Sequence, residues 1–247
     1  MKEYFDKAFT KIAVLGSGTM GGQIAAHFAN LGFDTTMFDT SEEALSKSIA
    51  MMKKLKPTPF ASPSVSGLIK TSTYDDLTTI SGCDFIIESI VENLDIKKKL
   101  FKQISPHIND NAILVTNTSG LSIQKIAESA PDSLRSRIFG VHFFNPPRYL
   151  PLVELIRTSY SDESLLTMAE GFITSALGKE VVYAKDSPAF VANRIGLFSF
   201  MAVLKHAENF NLTADTVDAR TGKRIRRPAR PTFRTLHVCG LDFMANL

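Results

Sequence analysis

Apolar positions along this chain alternate between two spacings. Short unbroken apolar runs, which read as strands buried on both faces, recur at residues 11–15, 35–38, 84–88 and 112–115. Between them, apolar residues return every three or four positions, which predicts helices over 23–31, with Ile24, Phe28 and Leu31 on one side, over 94–104 and over 122–129. Another helix is predicted from Thr40 or Ser41 to about Leu55. Glu42 and Glu43 stand in its first turn, where a helix start favours negative charge, and Pro57 and Pro59 end it. Residues 57–67, rich in Pro and Ser, read as a loop, and 68–73 as a strand.

The second half begins with two strand-like runs around a proline-rich turn, in residues 141–156. A helix over 162–177 with a Gly178 stop, a strand over 180–183 and a long apolar helical pattern over 189–210 follow. Strands alternating with helices over the first 180 residues predict an α/β fold with a mostly parallel sheet covered on both faces. Composition shifts at Ser187-Pro188, which places the domain boundary there: 1–186 form an α/β domain and 187–247 a helical one.

Composition narrows the class. With 44% hydrophobic and 21% charged residues, the 247-residue chain reads as an ordinary globular protein. A net charge of +3 and a pI of 8.8 do not call for a nucleic-acid partner. The late basic cluster of Lys223, Arg224, Arg226, Arg227, Arg230 and Arg234 reads as a solvated face. Cys83 and Cys239 have no metal-type spacing and imply no disulfide framework, so no metal is expected and a reducing compartment is. No apolar stretch approaches the roughly 20 residues of a membrane span. Residues 1–10 leave no room for a secretory h-region, so the expected location is cytoplasmic.

Two places carry candidate chemistry. Gly16-Ser-Gly-Thr-Met-Gly21 stands directly between a strand and a helix, the context that a dinucleotide-binding glycine loop requires. Gly16 allows the tight turn, Gly18 lets the backbone approach a pyrophosphate, and Gly21 lets the helix pack close to the sheet. Thr19 and Met20 open that helix, whose N-terminus faces the phosphates. Asp39 ends the second strand 18 residues after Gly21, where an acid accepts hydrogen bonds from the adenosine ribose and repels a 2′-phosphate. The expected cofactor is therefore NAD, on a Rossmann-type sheet.

The second place is Val141-His-Phe-Phe-Asn-Pro-Pro-Arg-Tyr-Leu-Pro-Leu-Val-Glu-Leu-Ile156. His142 and Glu154 stand where a purely structural strand would carry Val or Ile. Paired, they would form a base and its orienter; alone, His142 reads as a core histidine bonded to a backbone carbonyl. Oxidation of a secondary alcohol needs such a base, since a neutral imidazole can take the hydroxyl proton near pH 7.

The glycine loop, Ile90-Val-Glu-Asn93, Asn117-Thr-Ser119 and His142-Phe-Phe-Asn-Pro146, in this order, resemble the L-3-hydroxyacyl-CoA dehydrogenase family from about residue 11 to 210. The resemblance implies NAD-dependent oxidation of an L-3-hydroxyacyl-CoA to a 3-oxoacyl-CoA in fatty-acid β-oxidation. It implies His142 as base, Glu154 as its partner, and Ser119 and Asn193 as substrate contacts, with Ser119 also near the nicotinamide. Glu92, Lys97 and Asn145 match positions that contact NAD. From the residues alone, Ser119 also reads as a helix cap, Asn193 as a polar residue at a domain junction and Lys97 as solvated.

The helical domain departs from the family pattern. Residues 227–235, Arg-Pro-Ala-Arg-Pro-Thr-Phe-Arg-Thr, resemble the long bacterial form joined to an enoyl-CoA hydratase, and His237 replaces an Asp ahead of Gly240-Leu-Asp242. The chain is expected to be a truncated copy with an incomplete all-α domain. Its expected partners are an acyl-CoA substrate, and a second copy or a fused or associated enoyl-CoA hydratase. Lys53, Lys54 and Lys56 lie in the helix that the family uses near the CoA phosphates, without a matched position. Two other readings stay open, a catalytically silent NAD-binding module and a dehydrogenase of a small 3-hydroxy acid without CoA.

Overall fold

The computed structural model describes residues 9–225 and 231–239. Arg226, Arg227, Arg230 and Gly240-Leu-Asp242, singled out above, lie outside the described residues, as does most of the 1–10 segment. The chain divides into two units, residues 1–186 and 187–247.

The first unit is one eight-stranded sheet, in the order β3-β2-β1-β4-β5-β6-β7-β8. The strands are β1 (Lys11–Leu15), β2 (Asp34–Asp39), β3 (Lys70–Thr73), β4 (Phe85–Glu88), β5 (Ile113–Thr116), β6 (Ile138–Phe143), β7 (Leu152–Ile156) and β8 (Glu180–Ala184). β1 to β6 are parallel; β7 pairs antiparallel with β6, and β8 runs parallel to β7. Helices α1 (Thr19–Asn30), α2 (Glu42–Met52), α3 (Leu94–Ile104), α4 (Ile123–Ser129), α5 (Asp132–Arg135) and α6 (Glu163–Ser175) connect them.

Because the central strands are apolar on both faces, the sheet separates two cores. On one face Phe28 of α1 and Phe172 of α6 meet Phe9, Phe85 and Phe143. On the other, Leu100, Phe101 and Ile104 of α3 and Ile126 of α4 cover Ala13, Ile86 and Leu114. Each of the Phe, Leu and Ile side chains among them contributes about 1.5–3 kcal/mol relative to remaining in water.

Several boundaries differ from the pattern. α1 begins at Thr19 and ends at Asn30, and Leu31 faces solvent because Gly32, at φ 85°, turns the chain away there. α2 stops at Met52 rather than near Leu55, as Lys53, Lys54 and Leu55 close into successive turns. A 3₁₀ turn, Pro63–Gly67, occupies the loop and leaves Leu68 exposed, so β3 starts at Lys70.

In the second unit, α7 spans Ala192–Asn209. It starts later than the pattern from Ala189 predicts, since Ala189 and Phe190 take φ of 61° and 43°, which no right-handed helix accepts. Ile195, Phe198 and Met201 on α7 are exposed, so the apolar pattern there does not translate into burial. Two helices that the pattern did not show follow, α8 (Ala214–Thr221) and α9 (Thr232–Cys239). Thr213 caps α8, and Asp218 accepts from the amides of Phe233 and Arg234 at the start of α9.

Among the described residues, no helix is long and apolar enough to cross a membrane, and no group of three or more His, Cys, Asp or Glu could hold a metal ion.

His27, buried on α1, is pushed down to about 4 by loss of water and by the nearby charges of Lys179 and Arg148. Its Nε2 is left without a hydrogen-bond partner. The unfolded chain takes up this proton below the ordinary value of 6.5, but the folded chain only near 4. Stability therefore falls as pH drops through that window, by roughly 3 kcal/mol in all. In urea unfolding at pH 7 and pH 4, His27→Met is expected to lose less stability than the parent by about that amount. Equal losses would show that His27 titrates normally.

Candidate active site

The parallel strands place the candidate residues along one edge of the sheet. Leu15, Glu88, Thr116 and Gly140 lie side by side in register, so the turns after β1, β4 and β5 and the end of β6 open on the same side. Ligands of open α/β sheets bind at this carboxyl edge.

At the β1–α1 turn the three glycines answer three separate demands. Gly16 has φ 99°, and a Cβ there would lie 2.6 Å from the Ser89 carbonyl oxygen. A Cβ on Gly21 would lie 2.0 Å from the Gly16 oxygen, which no side chain tolerates. A Cβ on Gly18 would meet nothing within 4 Å. Gly18 is also the N-cap of α1 and offers no side chain to its first amides, and the first turn, with Thr19 and Met20, holds no acid. Open space before uncapped, positively polarised amides fits a pyrophosphate.

Asp39 closes the same turn from β2. Its Oδ2 accepts from the Ser17 amide at 2.7 Å and hydroxyl at 2.5 Å, and its Oδ1 from the Thr40 amide at 2.7 Å. Burial alone would raise its pKa; the bonds from Ser17 and Thr40 outweigh this and hold it below the usual carboxylate value. An anion stands where the ribose is expected.

The antiparallel pairing of β6 and β7 sets His142 directly opposite Glu154. His142 Nδ1 lies 2.7 Å from Glu154 Oε2, and both residues are buried. A carboxylate beside Nδ1 keeps the neutral ring's proton there, so Nε2 carries the basic lone pair. The connection between the strands is tied down on several sides. Lys179 Nζ donates to the carbonyls of Pro147 and Leu150 at 2.5 and 2.8 Å, and Arg148 donates to those of Thr58 and Phe60. Asn117 accepts from the Phe143 amide at 2.8 Å, which fixes the end of β6 against the turn after β5. Asn145 Oδ1 accepts from Gln23 on α1 at 3.1 Å, joining this connection to the glycine-loop helix.

Ser119 does not cap the helix after it; Ser122 does, assisted by Asp186, which accepts from the Ser122 hydroxyl and from the amides of Ile123 and Gln124. The Ser119 amide instead donates to Glu92 at 2.7 Å. Lys97 is not solvated. At 1% exposure, its Nζ lies 2.5 Å from Glu88 and 3.6 Å from Glu92. Removing one partner of such a buried pair typically costs about 3–5 kcal/mol. Asn193 lies in the first turn of α7, in the second unit.

Sequence reasoning passed over Glu88, Thr116 and Gln23 as participants, and gave Asn117 no role beyond its place in a matched motif. The signal for Glu88 was present, since it is a charged residue closing the apolar run Phe85-Ile-Ile.

A family model described as the NAD-binding domain of 3-hydroxyacyl-CoA dehydrogenase matches residues 11–187. A probable 3-hydroxyacyl-CoA dehydrogenase of Bacillus subtilis (strain 168) is 39% identical over 263 residues, covering 98% of this chain and 33% of that protein. A putative fatty acid oxidation complex trifunctional enzyme of Rickettsia felis is 35% identical over 242 residues, covering 95% of this chain and 34% of that protein. This chain thus spans about a third of the length of each. The crystal structure of FadB2 from M. tuberculosis matches with a TM-score of 0.86 at 28% identity, covering 97% of this chain and 86% of that one. The chain belongs to the 3-hydroxyacyl-CoA dehydrogenase family.

The glycine geometry separates two substitutions. Gly18→Ala is expected to change unfolding free energy by less than about 1 kcal/mol, since its φ suits Ala and its Cβ meets nothing. The same change is expected to weaken NADH binding at least about tenfold by blocking the approach of the pyrophosphate. Gly21→Ala is expected to lower both. Fluorescence titration with NADH and thermal melts check this; undiminished NADH affinity in Gly18→Ala would place the dinucleotide elsewhere.

Proposed function

We propose that this member of the family catalyses NAD-dependent oxidation of an L-3-hydroxyacyl-CoA to the 3-oxoacyl-CoA, within fatty-acid β-oxidation. The observation that carries the reading is the buried His142–Glu154 pair, 2.7 Å apart, at the edge of the sheet onto which the glycine loop opens.

The glycine loop and the start of α1 bind the pyrophosphate, and Asp39 reads the ribose. An anion there repels a 2′-phosphate, so NAD is favoured over NADP. When bound, NAD supplies the hydride acceptor. His142 takes the hydroxyl proton on Nε2 as the hydride departs. Glu154 holds Nδ1–H, which fixes the tautomer and the plane of the ring, and it stabilises the imidazolium that forms. Ser119 hydrogen-bonds the substrate oxygen and holds the reacting carbon in line. Asn193 is proposed as a second such partner on its motif match alone. A homodimer, or an enoyl-CoA hydratase that would supply the L-3-hydroxyacyl-CoA, is the proposed association, and the cytoplasm is the proposed location.

His142→Ala tests the assignment with acetoacetyl-CoA and NADH in the reverse direction. NADH affinity is expected to stay at the parent value, because the dinucleotide is held at the other strand ends. Turnover is expected to fall by about 10²–10⁴-fold, the usual contribution of a general base. Turnover within a few-fold of the parent would remove His142 from the mechanism. A parent that binds NADH but never oxidises it would mark the chain as a silent binding module.

A further inference from the structure

α1 buries every residue from Gly21 to Ala29, and Gln23 and His27 are the polar side chains among them. An apolar residue at position 23 would complete that face as well, and a buried amide is costly unless it is bonded. Gln23 is bonded, and to the connection that follows His142. Its Nε2 meets the main-chain carbonyl of Thr19 at 2.9 Å and Asn145 Oδ1 at 3.1 Å.

The direction of these bonds is fixed from one end. A main-chain carbonyl only accepts, so the Gln23 atom that meets Thr19 is the nitrogen. That nitrogen has a second N–H, and the Asn145 atom facing it is therefore the oxygen. The carboxamide is planar, which turns Asn145 Nδ2 away from Gln23. Among the described residues, the bond to Gln23 is the one hydrogen bond of the Asn145 side chain, and Asn145 is exposed. Both Nδ2 protons are thus offered outward.

A dinucleotide would pass this group. Gln23 stands one helical turn after Thr19, where the uncapped amides of α1 face a pyrophosphate, and Asn145 stands three residues after His142, just beyond the end of β6. The main chain following Asn145 is anchored by Lys179 and Arg148. With that main chain held, Gln23 settles which edge of the carboxamide the cleft meets.

We propose that Gln23 is a positioning residue for the cofactor. It turns the Asn145 carboxamide so that Nδ2 donates to an oxygen acceptor in the nicotinamide half of the dinucleotide. This rests on the reading of the glycine loop as the dinucleotide site and of Asn145 as a cofactor contact. Orientation in advance spares the bound state the cost of ordering an exposed side chain.

A double-mutant cycle of Gln23→Met and Asn145→Ala, read by fluorescence titration with NADH, tests this. Met keeps the length of the buried side chain and removes both donors, so the melting temperature is expected to stay close to that of the parent. Gln23→Met is expected to weaken NADH binding about threefold to tenfold, and Asn145→Ala by at least as much. Once Asn145 is Ala, Gln23→Met is expected to cost nothing further. Turnover of Gln23→Met at saturating NADH is expected to stay within about twofold of the parent, since His142 and Glu154 are untouched. ADP-ribose, which lacks the nicotinamide ring and its carboxamide, locates the acceptor in the same cycle. A penalty that survives with ADP-ribose assigns it to a ribose or phosphate oxygen, and a penalty confined to NADH assigns it to the carboxamide. Losses that add across the cycle would overturn the proposal, because Gln23 would then act on α1 and not through Asn145. Parental NADH affinity in either single variant would overturn it too. Should Gln23→Met fail to fold, Gln23→Leu completes the same cycle. A parent that binds NADH but does not oxidise it with acetoacetyl-CoA would sink the proposed reaction alone, because the cycle is read on binding.

Discussion

One strand register governs the candidate site. Side chains on paired strands alternate between faces, so a slip of one residue between β6 and β7 would send His142 and Glu154 to opposite sides of the sheet. Their pairing at 2.7 Å in a fully buried position is therefore both a consequence of the register and a reason for it. A buried carboxylate with no donor is among the costliest groups a fold can hold, and the imidazole N–H supplies one. The turn between the strands serves that register. Lys179 gathers its carbonyls from within, Arg148 fastens it to the 58–60 backbone, and Asn117 holds the last residue of β6.

The same logic extends across the sheet edge. Several strand ends carry polar groups satisfied by a neighbouring turn or helix. Asp39 is held by Ser17, Asn145 by Gln23, and Ser119 by Glu92. Groups proposed for cofactor, base and substrate are thus mechanically connected through short polar bonds resting on two apolar cores. Rigid strand ends with bonded turns are what a proton transfer needs, since small misplacements of the reacting groups cost rate steeply.

Much of this was legible in the chain itself, for identifiable reasons. The glycine loop stands out because Gly16 and Gly21 occupy positions where any Cβ collides, a constraint local to a few residues. His142 and Glu154 stand out because titratable groups interrupt apolar strands. The long-range pairings were less visible. Lys97 reads as a surface residue of an amphipathic helix until Glu88, nine positions earlier, is seen beneath it. Glu88 itself is visible as a charge closing an apolar run, but the helix lysine that answers it is not. In the second unit the periodicity of residues 189–210 overstated the helix, because left-handed φ at Ala189 and Phe190 is set by tertiary context rather than by residue type. Exposed Ile195, Phe198 and Met201 show the same limit, since periodicity identifies a face and not what covers it.

The central claim is that Glu154 holds His142 as the tautomer whose Nε2 is the base. Nitrogen NMR of the His142 ring, in protein labelled at histidine and held above the pH at which the ring protonates, reads this directly. A protonated, pyrrole-type Nδ1 with a pyridine-type Nε2 is the expected result, with the preference weakened in Glu154→Gln. A pyridine-type Nδ1 with the proton on Nε2 would contradict the account, because the ring would then have no lone pair on Nε2 with which to take the substrate proton.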